Sequence, residues 1–237
     1  MAQYLLVHGA WHGAWCWQKV VPLLTEKGHT VLAPDLPGHG HDKTPLAKIT
    51  FEIYLKFLTQ FIETAPMPVI LVGHSFAGMI ISALAERYPD KIKCLVYVAG
   101  FLPQNGQSMF QIATQLPHTP FSKLMTADPK KNAFYFPLDK MHEFGFAQTA
   151  LKDFEALLPL FCTEPLLPLN TPVALSAQNF GQVPKVYIEC LHDNAIPIQA
   201  QRAMHSTTPC RVQSLPSDHS PFYAMPEQLA TILHQIE

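Results

Sequence analysis

The sequence predicts an α/β fold: a mostly parallel sheet with helices on both faces, interrupted by a helical insertion. Three observations carry this. Short apolar, β-rich runs alternate with segments of helical periodicity, the pattern of repeated strand–helix–strand units. That rhythm stops after Gly100 and resumes after Pro184. Between them, residues 69–80 read as a buried strand, a sharp turn and a helix, with a lone serine, Ser75, at the apex.

Taken in order, residues 4–7 form a short apolar run ended by His8-Gly9, a buried strand reaching the sheet edge. A loop of glycines and aromatics follows, from Ala10 to Trp15. Trp17, Val20, Val21 and Leu24 have helical spacing, and Lys27-Gly28 supplies a basic last turn and a glycine cap. Residues 30–33 are the next strand, and 34–40 a long turn. Thr50 can cap a helix over 51–64, with Ile53, Phe57, Leu58 and Phe61 on one face. After the Ser75 unit, whose helix stops at Pro89, Ile92–Val98 is another β-rich run.

Between Phe101 and Val183 no clear strand is visible. This segment holds nine of the 22 prolines and ten of the 15 phenylalanines, too aromatic for a linker. Helical spacing appears around Phe110 and over 146–158. Residues 1–100 and 184–237 therefore read as the core and 101–183 as a helical cap. Most of its phenylalanines are expected to pack beneath the lid, and a minority to face a ligand. The rhythm returns with a strand over 186–191, then His192-Asp193-Asn194 and a helix opened by Pro197. A last strand, Arg211–Leu215, leads into the loop 216–221 and a final helix from Pro226.

At 237 residues, 48% hydrophobic and 14% charged, the chain fits one large domain or a core with an insertion, and disorder is excluded. Net charge is −2 and no basic cluster exceeds Lys130-Lys131, which argues against a nucleic-acid surface. Five scattered cysteines without a C-x-x-C spacing suit free thiols in a reducing cytoplasm. No signal-peptide pattern precedes Tyr4 and no apolar run reaches membrane-spanning length. Neither a G-x-G-x-x-G nor a P-loop occurs, so no cofactor is expected. His8 and His12 have the i, i+4 spacing of a helical metal pair, but the glycines around them oppose a helix and no acidic ligand accompanies them, so no metal is expected either. His39 and His41 read as solvated loop residues.

A serine hydroxyl is a poor nucleophile unless a base takes its proton, and the base needs a carboxylate to orient it. Ligands of an open parallel sheet bind beyond the carboxyl ends of its strands. The titratable candidates there are His8, Asp35, His74 with Ser75, His192 with Asp193, and Asp218 with His219. The loop after the fourth strand has no carboxylate, which leaves Asp193 as the acid and His219 as the base. Singly, each has a plainer reading: a Gly/Ser turn for Ser75, a turn former for Asp193, a polar loop residue for His219. Together, each directly after a strand and in the order Ser, Asp, His, they are hard to explain that way. Asp218 is expected to point away from the base, and Asp35 to serve a turn or nearby backbone. The amides of Phe76, after the nucleophile, and of Ala10, where Gly9 lets the backbone approach, are placed to stabilise an oxyanion. Ala77 stands where the second glycine of G-x-S-x-G is expected.

His8-Gly9-Ala10-Trp11-His12-Gly13-Ala14-Trp15, Gly73-His74-Ser75, His192-Asp193-Asn194-Ala195-Ile196-Pro197 and Asp218-His219-Ser220-Pro221-Phe222 resemble the α/β-hydrolase superfamily. Within it they are most similar to the branch of plant methylesterases and hydroxynitrile lyases, with their bacterial relatives. The match spans both ends of the chain, while 101–183 fits the family's cap only loosely. The resemblance implies a six-stranded core, a helical cap and a buried pocket. The roles it implies are nucleophile Ser75, acid Asp193, base His219 and oxyanion amides of Ala10 and Phe76. Gly9, His12, Phe101 and Ser220 are the expected substrate-binding residues. Lyases similar to this chain carry threonine where it has Gly9, and lysine, which supplies positive charge for a departing cyanide, where it has Ser220. The expectation is thus a cofactor-free serine carboxylesterase acting through an acyl-enzyme on small apolar or aromatic esters. The alternatives are a hydroxynitrile lyase and a non-catalytic receptor on the same fold. The expected partner is a small-molecule ester, with no nucleic acid and no membrane; a homodimer stays open.

Overall fold

The apolar runs of the sequence assemble into one sheet. The computed structural model describes residues 1–116 and 120–236, without the side chains of Pro120 and Phe121. The strands, in chain order, are β1 Gln3–Val7, β2 Thr30–Leu32, β3 Val69–His74, β4 Ile92–Val98, β5 Thr126–Asp128, β6 Ala133–Tyr135, β7 Glu164–Pro165, β8 Lys185–Cys190 and β9 Arg211–Leu215. Six of them form the main sheet in the order β2-β1-β3-β4-β8-β9, and every neighbouring pair is parallel. Helices α1 Val20–Glu26, α2 Phe51–Glu63, α3 Ala77–Arg87, α4 Met109–Gln115, α5 Pro120–Leu124, α6 Leu138–Gly145, α7 Leu151–Glu155, α8 Leu166–Leu169, α9 Ile198–His205, α10 Pro221–Ala224 and α11 Pro226–His234 complete the chain.

The central strands are largely apolar because a parallel sheet is covered on both faces. Leu6, Ile70, Val72, Leu95 and Val96 are fully buried. From β1 the chain steps outward to β2, whereas β4, β8 and β9 follow on the other side of β3. The loops leaving β1 and β3 therefore diverge, and the crevice between them is where such a sheet binds ligands. The Val7–Gly73 and Gly73–Tyr97 register brings the ends of β1, β3 and β4 level at this crevice.

Thr50 caps α2 as its sequence implies, accepting the Ile53 N–H at 3.4 Å. The buried stripe of α2 is Phe51, Tyr54, Leu55, Leu58 and Ile62, rotated from the expected face. Ile53, Phe57 and Phe61 are half-buried, and Phe57 and Phe61 pack edge-on at 5.4 Å. Helix α3 is buried on every side from Ala77 to Ala85. A Cβ at Gly78 would lie 2.2 Å from the Phe101 carbonyl oxygen, and one at Gly73 would lie 2.8 Å from that of Ala77. These two glycines let strand, turn and helix pass close together, and Ala77 fits between them.

The insertion between β4 and β8 is not purely helical. It contains an antiparallel three-stranded sheet, β5-β6-β7, whose strands of two or three residues are too short to leave an alternating pattern in the sequence. The helix expected over 146–158 is only α7, because α6 already ends at Gly145 and the chain turns before it resumes. Phe134, Phe136, Phe144, Phe146 and Phe154 are buried there. Phe121, counted among the insertion's phenylalanines, has a side chain outside the described residues, as does the last residue of the chain.

Replacing Gly78 by alanine sets a Cβ against a backbone carbonyl that cannot rotate away. Gly78→Ala is expected to destabilise the fold by about 1–3 kcal/mol, read as a lower urea midpoint. An unchanged midpoint would remove the close α3–Phe101 approach from this account.

Candidate active site

Ser75 sits at the end of β3 with φ 51°, in the left-handed region that a serine seldom adopts. Two backbone hydrogen bonds hold it there. Its N–H donates to the Val98 carbonyl at 3.2 Å, and its own carbonyl accepts the Phe101 N–H at 2.9 Å. Both partners belong to the neighbouring strand β4 and its exit loop, so the sheet itself enforces the strain. The side chain faces the cavity described below.

His219 lies in the loop after β9 and lines the same cavity. Its Nδ1 meets Asp193 Oδ2 at 2.6 Å. Because a carboxylate only accepts, Nδ1 carries a hydrogen, and in the neutral ring Nε2 is then the free acceptor. Asp193, after β8, is itself held on both oxygens. Oδ1 accepts the Ala195 and Ile196 N–H groups at 2.7 and 2.8 Å, and Oδ2 accepts the Gln201 amide at 3.3 Å. His74, directly before the serine, donates from Nε2 to the His219 carbonyl at 2.9 Å, so one residue ties the Ser75 turn to the His219 loop. Asp218 points away from the base. It accepts the Gln148 and Ser220 N–H groups at 2.7 and 2.9 Å, and burial raises its carboxyl above the usual range.

The loop leaving β1 is built by histidines that burial keeps neutral. His8 donates from Nδ1 to the Gly9 carbonyl at 2.9 Å and accepts the Leu36 N–H on Nε2 at 3.0 Å. His12 donates from Nδ1 to the Ala10 carbonyl at 2.6 Å. Burial lowers His12 from 6.5 to about 3, outweighing that hydrogen bond, and lowers His8 and His74 well below the ordinary range. Asp35 serves backbone, accepting the Ala14 and His41 N–H groups at 2.6 and 3.0 Å. Among the described residues, the Ala10 and Phe76 N–H groups meet no acceptor, and both residues line the cavity.

That cavity, of about 100 Å³, has room for a small organic ligand rather than a single water. Ala10, His12, Ser75, Phe76 and His219 form its floor. Met109, Phe110, Leu116, Met125, Met141 and Leu169 from the insertion, with Ile196 and Pro197 beside Asp193, supply apolar walls. No Lys, Arg, Asp or Glu is among these described lining residues. Of the expected substrate-binding residues, His12 and Phe101 line the cavity; Gly9 and Ser220 do not. A Cβ on Gly9 would lie 2.7 Å from His74 Nδ1 and 3.0 Å from the Ser75 Cβ, so Gly9 packs closely against Ser75. Ser220 is fully buried, its N–H committed to Asp218.

The family model described as "Alpha/beta hydrolase family" matches residues 4–232. The chain belongs to the alpha/beta hydrolase family. Putative methylesterase 11, chloroplastic, of Arabidopsis thaliana is 36% identical over 246 residues, which cover 98% of this chain but 63% of that relative. The chain thus spans less than two thirds of that relative's length. Methylesterase 1 of Arabidopsis thaliana is 33% identical, covering 96% of this chain and 92% of its own. The crystal structure of a pyrethroid hydrolase from Sphingobium faniae JZ-2 superposes with a TM-score of 0.89 at 31% identity, covering 99% of this chain and 96% of its own.

Two residues of this hydrolase escaped the sequence reading. His39, expected in solvent, is 1% exposed, and its Nε2 meets Glu164 Oε2 at 2.9 Å. Burial alone would lower His39, but the adjacent Glu164 carboxylate raises it above the ordinary range. Glu164 is in β7 of the insertion, where nothing in the sequence marks it as a partner for the loop after β2. Among the described residues no helix is long and apolar enough to cross a membrane.

Neutral buried histidines tie stability to pH. Unfolded, each titrates near 6.5; folded, His12 titrates near 3. Between those values the unfolded chain binds the extra proton, so stability falls as pH drops through about 6.5. His39, raised by its partner, contributes with the opposite sign, its share being lost as pH rises through its folded value. His12→Asn keeps a donor for the Ala10 carbonyl and removes the titration. Its unfolding free energy is expected to fall less steeply between pH 6 and 4, by about 1.4 kcal/mol per pH unit for one proton. Urea melts at each pH measure this, and equal slopes would contradict it.

Proposed function

We propose that this hydrolase cleaves carboxylic esters through Ser75. The observation that carries the reading is the Asp193–His219 hydrogen bond of 2.6 Å, which orients Nδ1 to the carboxylate so that the neutral ring offers Nε2 as a base, in a residue that lines the same cavity as Ser75. The methylesterase names of its relatives point the same way. Ser75 Oγ attacks the ester carbonyl carbon while His219 Nε2 takes its proton. The carbonyl oxygen becomes an oxyanion facing the unpartnered Ala10 and Phe76 amides. The tetrahedral intermediate collapses, the alcohol leaves with the proton from His219, and the acyl group stays on Ser75. Water, deprotonated by His219, attacks the acyl-enzyme, and the acid leaves as Ser75 recovers its proton. Asp193 holds the imidazole in the required tautomer throughout.

The substrate is a small ester with an apolar or aromatic acyl part, because the cavity walls are Met, Phe, Leu and Ile and carry no charge. Three lining methionines, Met109, Met125 and Met141, adapt to differing shapes. A cyanide-releasing reaction finds no Lys or Arg among the described lining residues, and the buried Ser220 has no charge to offer. The five cysteines are all unpaired, which fits a reducing compartment such as the cytoplasm.

Hydrolysis of p-nitrophenyl butyrate by the wild type is expected, with a loss of at least about 10³-fold in kcat for Ser75→Ala. Asp193→Asn is expected to lower kcat by a comparable factor with KM little changed. No hydrolysis by the wild type, or an undiminished rate in Ser75→Ala, would overturn the reading. Release of cyanide from mandelonitrile that required Ser75 would replace it with a lyase.

A further inference from the structure

Trp11, directly after Ala10, has φ 63°. A bulky residue in the left-handed region is strained and persists only where its surroundings over-determine it. Here the insertion does so. The Trp11 N–H donates to Glu164 Oε2 at 2.8 Å. Its carbonyl accepts the Cys162 N–H at 3.0 Å. Its indole donates to the Phe134 carbonyl at 3.1 Å, and its ring stacks on Phe134 at 5.7 Å between centroids. Both peptide groups of Trp11 are thus held by the segment that roofs the cavity.

Glu164 is fully buried, as is His39 against it. His39 Nδ1 lies 3.2 Å from the Pro37 carbonyl and its Nε2 2.9 Å from Glu164 Oε2. Both partners are acceptors, so both ring nitrogens carry hydrogens and His39 is an imidazolium. The same carboxylate oxygen therefore accepts one charge-assisted bond from the loop after β2 and one backbone bond from the loop after β1. A buried ion pair is weak evidence for stability, since desolvation offsets much of its attraction. Its use here is geometric: it fixes an oxygen that dictates the Trp11 peptide plane. That plane contains the Ala10 carbonyl, and so constrains the Ala10 residue whose own N–H faces the cavity.

We propose that Glu164 is a positioning residue, which holds Trp11 left-handed and thereby aims the Ala10 N–H at the oxyanion. The inference rests on the esterase reading for its catalytic consequence, but not for the contact itself. The insertion thus contributes to the oxyanion site as well as to the walls of the cavity, because the residue that orients the donor belongs to it.

Two variants test this. Glu164→Gln keeps the length of the side chain and an oxygen for the Trp11 N–H. Glu164→Asp keeps the charge but withdraws the oxygen by one methylene. Glu164→Gln is expected to retain kcat for p-nitrophenyl butyrate within about threefold. Glu164→Asp is expected to lose about 10- to 100-fold in kcat with KM within about twofold. It should also weaken a trifluoromethyl ketone inhibitor, whose hemiketal oxyanion needs the same donors, by a similar factor. Hydrogen exchange at the Trp11 amide, followed by NMR, reads the contact without any reaction. Faster exchange in Glu164→Asp but not in Glu164→Gln supports the proposal. Unchanged exchange in Glu164→Asp, or a kcat that follows charge rather than length across the two variants, overturns it. Should the wild type turn over no ester, the esterase reading fails and the exchange measurement still decides whether Glu164 holds this loop.

Discussion

The site depends on the left-handed backbone of Ser75. A strand that ended in any ordinary turn would leave the hydroxyl buried between sheet and helix. Here the Val98 carbonyl and the Phe101 N–H grip the serine on both sides, and both come from the adjoining strand and its exit loop. The grip is possible only because Gly73 and Gly78 let β3, α3 and the Phe101 backbone approach within distances no Cβ would tolerate. The parallel sheet, with β4 buried beside β3 except at Lys93, stores the strain that presents the Ser75 hydroxyl.

Charge is distributed around that nucleophile with a clear division. His8, His12 and His74 are buried, neutral and occupied in shaping loops, each with a ring N–H on a backbone carbonyl. Of these, His12 lines the cavity and, being neutral, adds no charge to its floor. His39, a buried imidazole raised by its carboxylate partner, lies with Glu164 where the insertion meets the loops after β1 and β2. The polar design of the floor and the apolar walls therefore serve different tasks: the floor orients hydrogens, and the walls select shape.

Much of this was legible in the sequence because the core obeys local rules. Apolar runs became the six parallel strands, Thr50 capped its helix, and Ser75, Asp193 and His219 followed strand ends as topology demanded. Long-range pairings were not legible. His39 sits in a Pro- and Gly-rich turn and looks solvated; only Glu164, 125 residues later, removes it from water. The three strands of the insertion are too short to show a period. The rotated face of α2 has the same origin, since Phe57 and Phe61 are as apolar as the residues that won the core. Gly9 and Ser220, marked through resemblance, are not among the residues that line the cavity, because sequence neighbours of lining residues need not share their exposure.

The central claim is that the hydroxyl of Ser75 is the activated nucleophile of this fold. Paraoxon, a small neutral phosphate triester with a p-nitrophenol leaving group, tests it without assuming a natural substrate. Intact-protein and peptide mass spectrometry should find one diethyl phosphoryl group per chain, on Ser75, with release of one equivalent of p-nitrophenol and none from Ser75→Ala. Labelling at another residue, or equal labelling of Ser75→Ala, would contradict the account.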